Sequence, residues 1–171
     1  MLIRRETAAD LAAVYAVTAA AFAREPGVEP VEAGLLEELR ADPGWLPTLS
    51  MVAIGPDDTV IGHVLVTRGH VGSTPVLGLG PLSVRPDQQR AGVGSALVHA
   101  VLGAADALDE PLVALLGDPA YYHRFGFRTS TEYHIEPPVA QWQRYFQVRP
   151  LAAYDPALRG TFAYPEPFDR V

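Results

Sequence analysis

Seven consecutive residues, Gln89-Arg90-Ala91-Gly92-Val93-Gly94-Ser95, carry the most specific chemistry in this 171-residue sequence. They follow an apolar run, Val76 to Val84, and lead into Leu97, Val98, Val101 and Leu102, which recur at helical spacing. A helix start leaves its first N–H groups without intrahelical acceptors, and the aligned peptide dipoles place positive potential at the same point. A phosphate answers both needs. Gly92 and Gly94 have no Cβ, so the backbone can approach a diphosphate closely, and Arg90 adds a charged donor. The spacing Q-x-x-G-x-G lacks the Lys-Ser/Thr of a P-loop and the third glycine of the dinucleotide fingerprint. The stretch reads as a strand, an anion cradle and a helix.

Gln89, Gly92 and Gly94, preceded by Leu82-Ser83-Val84-Arg85-Pro86, resemble the acetyl-CoA pyrophosphate motif of the GNAT superfamily of N-acetyltransferases. The resemblance covers about Leu2 to Arg128, with specific motifs between Leu82 and Phe127, and the chain as a whole is similar to a small bacterial group of such proteins. It implies an α/β (α+β) acyl-CoA N-acyltransferase fold: a mixed, mostly antiparallel sheet splayed at the cofactor cleft and flanked by helices. Acetyl-CoA is the implied cosubstrate, without a metal. Its pantetheine arm would pair with the strand carrying Leu82, Ser83 and Val84. Its diphosphate would sit on the backbone of Gln89, Arg90, Ala91, Gly92, Val93, Gly94 and Ser95. The implied reaction is direct transfer of the acetyl group to a primary amine in a ternary complex, the acceptor being a small molecule or a protein amine.

Such a transfer needs a neutral nitrogen, a stabilised oxyanion and a proton for the departing thiolate. In the family a Tyr-x-x-x-Gly-Phe segment packs at the thiol end of the cofactor, and Tyr122, Gly126 and Phe127 match it. A phenol, with a pKa of about 10, can protonate a thiolate of about 8.5 at little expense. The alternative is that Tyr122 merely packs beside Tyr121. A backbone N–H near Leu82 to Val84 would hold the oxyanion. The base is less defined, because Val76 to Val84 contains no ionisable residue. His63, with an ordinary pKa of about 6.5, is either that base or a structural strand histidine. Glu29, Glu32, His70, Asp118 and His123 are weaker candidates, each read first as a solvated surface or capping group. A base is dispensable if the amine binds neutral or loses its proton through water. A non-catalytic acyl-CoA-binding or regulatory module is the second reading.

Composition narrows the rest. No cysteine is present, which excludes disulfides, thiolate catalysis and zinc–thiolate sites. The histidines show no metal-binding spacing, and Ser83 and Ser95 lack a nucleophile elbow. A formal net charge of -7 argues against nucleic acid or an anionic membrane as partner and suits an amine. All 13 basic residues are Arg, so lysine self-acetylation is excluded. No run reaches membrane-spanning length and Met1 to Glu6 is unlike a signal peptide, so a cytoplasmic monomer or homodimer is expected.

The elements that must position this chemistry follow from pattern. One domain is expected over residues 1–171, with a core of about 2–128 and variable strands in 129–171. A short strand, Leu2 to Arg5, precedes a helix capped by Thr7 with Asp10 three residues on, its inner face Leu11, Val14, Tyr15, Thr18 and Phe22. A second helix spans Val31 to Ala41. Strands Leu49–Ile54, Thr59–Thr67 and Val76–Val84 form a meander, turning at Gly55 to Asp58 and around Gly69 to Pro75. Gly80-Pro81 points to a bulge or opening of the sheet, or to an ordinary edge-strand proline. A buried strand, Leu112 to Leu116, and a short helix with Asp118 as cap and Gly126 as stop follow. Gln147 to Leu151 and Gly160 to Tyr164 read as two late strands.

Overall fold

Apolar β-branched runs separated by Gly, Pro and Asp turns pair side by side, and in the computed structural model, which describes residues 1–170, they form a nine-stranded sheet. The chain runs β1 (Leu2–Arg5), α1 (Leu11–Phe22), α2 (Val31–Ala41), β2 (Ser50–Ile54), β3 (Val60–Val71) and β4 (Thr74–Val84). It continues through α3 (Val93–Ala107), β5 (Leu112–Leu116), α4 (Pro119–Tyr122), β6 (Arg128–Thr129), β7 (Ile135–Glu136), β8 (Phe146–Pro150) and β9 (Gly160–Ala163). The strand order is β1-β2-β3-β4-β5-β8-β6, with β9 beside the far end of β3 and β7 beside β9. Within this order β4 and β5 are parallel and the other neighbours antiparallel. Parallel neighbours need a crossover, and α3 supplies it.

One sheet face packs on α3 through Val64, Val66, Leu97, Val98 and Val101, and the other on α1 and α2 through Val14, Leu36, Leu39, Val52 and Leu65. A third cluster, Phe146, Val148, Phe162 and Ile135, joins the late strands to Val76 and Leu112. Both late strands lie where the sequence places them. In β3 and β4 two residues, Gly80 and Pro81, oppose one between Val64 and Val66, so the expected bulge is present. The β4–β5 ladder is correspondingly short. It registers at Leu77 with Val113 and Gly78 with Ala114, and beyond Gly78 the two strands are unpaired.

Two expectations need correction. β3 continues to Val71 and β4 starts at Thr74, so the turn is Gly72-Ser73 rather than Gly69 to Pro75. Gly69 is a packing glycine: a Cβ there would lie 2.7 Å from Phe162 Cζ and 2.9 Å from the Ala163 carbonyl oxygen. The left-handed residue is Gly72, at φ +58°. On α1 the buried face is Val14, Val17 and Thr18, whereas Leu11 is exposed. A 3-10 turn, Ala8–Asp10, precedes this helix.

That turn is held by Asp10, whose carboxylate accepts from Arg4 Nη1 (2.7 Å) and Nη2 (2.9 Å) and from Thr7 N and Oγ1 (both 2.8 Å). The Arg4 guanidinium, with the Thr7 donors, keeps this carboxyl well below the usual carboxylate range. Asp10→Asn should therefore lower stability by about 1 kcal/mol at pH 7, the scale of an ion pair with a partly exposed arginine. The carboxyl is lowered on folding, so its contribution is present above about pH 4 and fades as pH falls further. In urea melts the gap between wild type and variant should narrow from pH 6 to pH 3; a constant gap would refute the ionic account.

Candidate active site

Gly92 sits at φ +89° as the left-handed cap of α3, and Arg90 also has positive φ, +60°. The first intrahelical bond runs from Ala96 N–H to the Gly92 carbonyl, at 3.0 Å. The amides of Val93, Gly94 and Ser95 consequently start the helix without an intrahelical acceptor, as a helix N-terminus requires. They open onto a cleft of about 620 Å³ lined by Leu82, Val84, Gln89, Arg90, Tyr121 and Arg124, among others. Gln89 Nε2 donates to the Val84 carbonyl at 3.2 Å and closes the loop between β4 and α3. Arg85 is engaged with Asp87 at 2.7 Å, which leaves Arg90 and Arg124 as the cations on this wall. A Cβ on Gly92, which lines the cleft, would meet nothing within 4 Å among the described residues, so the space beside it is open. Polar donors, cations and open space together fit a diphosphate.

The cleft runs along the unpaired edge of β4. Arg85 N–H bonds to the Ile61 carbonyl on β3, and strand alternation then turns the backbone groups of Leu82 and Val84 outward, toward the cleft. Their side chains also line it. Ser83 differs: it is buried, and its hydroxyl lies 2.9 Å from Thr18 Oγ1 on α1. Its side chain belongs to the opposite face of the sheet, as does that of buried Val93 to the core under α3. Ala91 is exposed in the loop and offers only backbone.

At Leu82 and Phe22 this cleft meets a second space of about 510 Å³, the chamber left where β4 and β5 part. Tyr122, Leu116, Leu35, Trp142, Tyr164 and Phe168 form its walls. Neighbours on α4 thus serve two compartments. Tyr121 projects over the cradle, where a Cβ on Gly94 would come within 2.8 Å of its Oη, and Tyr122 faces the chamber. The Tyr122 ring lies against Gly117, which has no side chain to obstruct it, and meets Phe127 edge-on at 5.8 Å. Burial pushes its phenol well above the usual range. Asp118 caps α4 by accepting from Ala120 N at 2.9 Å, and Gly126 ends the following turn at φ +85°.

His63 is placed differently from the sequence expectation. It is fully buried on the α1/α2 side of the sheet, with Leu65, whereas Gly62 faces Leu97 and Val93. Its Nε2 lies 3.0 Å from Glu6 Oε2 and 2.9 Å from Ser50 Oγ, and Glu6 Oε1 is 2.6 Å from Arg40. Burial lowers the imidazole pKa, an effect Glu6 offsets only in part, so the ring is neutral at pH 7. It lines neither the cleft nor the chamber, and a role as base is withdrawn. Of the other candidates, His70 and His123 are exposed and Glu29 accepts a hydrogen bond from Tyr15. Glu32 alone of them lines the chamber. Tyr121, Arg124 and the aromatic wall escape sequence reasoning.

Comparison with known proteins supplies the family. A model of the acetyltransferase (GNAT) domain matches residues 2–130. The uncharacterized N-acetyltransferase YhbS of Escherichia coli (strain K12) is 33% identical over 175 residues, covering 99% of both chains. A crystal structure of Escherichia coli YhbS with CoA is similar at a TM-score of 0.89, with 30% identity over 99% of this chain and 92% of that one. A GNAT family acetyltransferase from Brucella melitensis, solved with acetyl-CoA, has a TM-score of 0.79 and 32% identity over 98% of this chain and 97% of its own.

Proposed function

This chain belongs to the GNAT acetyltransferase superfamily and is an acyltransferase; from that premise we propose that it uses acetyl-CoA to acetylate a primary amine by direct attack in the cleft and chamber beside β4. The observation that carries this reading is the set of three helix-start amides, Val93 to Ser95, lying next to a strand edge freed by the β4–β5 split. The solved relatives with CoA or acetyl-CoA support it. When bound, acetyl-CoA would supply an activated acetyl group as its thioester.

The residues divide the work by compartment. Val93, Gly94 and Ser95 amides, with Arg90 and Arg124, hold the diphosphate, and the outward backbone of Leu82 and Val84 takes the extended arm as an added strand. An N–H on that edge polarises the acyl carbonyl as a preorganised dipole. Tyr122 keeps a proton at Oη for the leaving sulfur. The apolar walls of the chamber away from Glu32 also favour loss of the amine's proton, because burial in apolar surroundings destabilises an ammonium.

The test is mass-spectrometric: acetyl-CoA, the protein and a panel of primary amines, with free thiol followed in parallel. Acetylated amine stoichiometric with released thiol is expected. Tight acetyl-CoA binding with no acetylated product from any amine would instead favour the binding-only module.

A further inference from the structure

The walls of the chamber specify an acceptor more narrowly than "amine". The six wall residues above are apolar or aromatic, and Leu79, Pro81 and Leu82 extend this uncharged part of the lining. The charged side chains in it are Arg24 and Glu32. These two face each other at a loose 3.8 Å, with Arg24 85% exposed and Glu32 only 21% exposed. An exposed pair of this kind is worth little. An incoming ammonium can displace Arg24 from Glu32 without loss of a strong bond. Glu25 and Glu29 line the adjoining pocket together with Arg24 and Glu32 and add negative charge at the chamber mouth.

The far wall is built to hold a ring. Tyr164 lies against Gly78, the last residue of β4 paired with β5, where a Cβ would sit 2.9 Å from its Cε1. Phe162 meets Tyr164 edge-on at 4.7 Å, and Phe168 lies 4.5 Å away at a 34° tilt. Trp142 comes from a separate 3-10 turn, Ala140–Trp142. Rings clustered in this way offer faces and edges to another aromatic group. A polyamine or polyhydroxylated amine long enough to reach past the carboxylates at the mouth would set its inner polar groups against Leu35, Leu79, Leu116 and Phe168, which offer them no hydrogen-bond partner.

We propose that the acceptor is a primary amine carried on an aromatic or similarly bulky apolar body, the body lying against Trp142, Tyr164 and Phe168 and the ammonium entering beside Glu32. This rests on the transferase reading for its meaning, but its test does not depend on turnover. The CoA-saturated protein is titrated calorimetrically with 2-phenylethylamine, 2-phenylethanol and spermidine. The amine with the ring should bind at least about tenfold more tightly than either of the others, since one lacks the charge and the other the ring. Trp142→Ala should weaken 2-phenylethylamine about tenfold or more with CoA affinity unchanged, and Glu32→Gln should bring it close to 2-phenylethanol.

Spermidine binding as tightly as 2-phenylethylamine, or indifference of the latter to both substitutions, would overturn the proposal. Binding in the expected order without acetylated product would support the apolar-amine site and refute the transfer reaction instead. Acetylation of spermidine or of a peptide N-terminus, with 2-phenylethylamine inert and unbound, would keep the transferase and overturn this acceptor class.

Discussion

Gly92→Val should remove acetyl-CoA binding from calorimetric titration, a loss of about a hundredfold or more, while the protein stays folded. Two effects act in the same direction. At φ +89° a β-branched residue is strained by about 1–2 kcal/mol, so the backbone will rotate and re-aim the amides of Val93 to Ser95. The new side chain would also project into open space at the cleft wall, where, the two chain neighbours aside, no described residue comes within 4 Å of a Cβ. Losing one or two charge-assisted hydrogen bonds, each about 1.5–3 kcal/mol, accounts for a hundredfold, which corresponds to about 2.7 kcal/mol. Two other glycines of α3 separate the causes. Gly103→Ala adds a methyl that meets nothing and should leave affinity unchanged. Gly94→Ala has no positive φ but would press within 2.8 Å of Tyr121 Oη, so it should weaken binding only as far as Tyr121 must move. Undiminished affinity in a folded Gly92→Val protein would mean that the diphosphate lies elsewhere.

The cradle was legible in the sequence because its physics is local. A strand, an eight-residue loop and a helix start lie in one uninterrupted stretch, and the need for glycine there comes from backbone torsion. The bulge at Gly80-Pro81 was legible for the same reason: a proline cannot complete the ladder wherever its strand lies. Sites assembled across the chain were not. His63 is drawn into the interior by Glu6, 57 positions earlier, and nothing near either residue announces that partner. The aromatic wall depends on β9 pairing with β3 at His70 and Val71, which delivers Tyr164 and Phe168 to a chamber begun by β4 and Tyr122. Gly69 reads as a turn until Phe162 is seen packed on it. In α1 the obstacle is composition: six alanines and two valines among its neighbours blur the apolar stripe, and Val17 takes the buried place assigned to Leu11.

Tyr122→Phe should lower kcat by about a hundredfold to ten-thousandfold and leave acetyl-CoA affinity unchanged, the signature of a lost proton donor. Phenylalanine preserves the ring against Gly117 and Phe127, so stability should change little. Tyr121→Phe is the internal contrast, because that hydroxyl stands over Gly94 in the diphosphate compartment; its effect belongs in the dissociation constant for acetyl-CoA rather than in kcat. The pH profile carries a second check. Burial raises the Tyr122 phenol above its ordinary value of about 10, so the donor form is fully present at every lower pH. The wild-type rate should therefore rise with pH as the amine deprotonates, with no descending limb from this residue below about pH 10. A raised pKa also makes the phenol a weaker acid, which by itself would slow proton release to a thiolate of ordinary basicity. The leaving sulfur, however, would develop its charge in the same apolar chamber, where desolvation raises a thiol pKa as it does a phenol's. Donor and acceptor shift together, and the proton can still move at the moment the bond to sulfur breaks. Equal loss of acetyl-CoA affinity and kcat in Tyr122→Phe would reduce the residue to a packing role and return the proton to water.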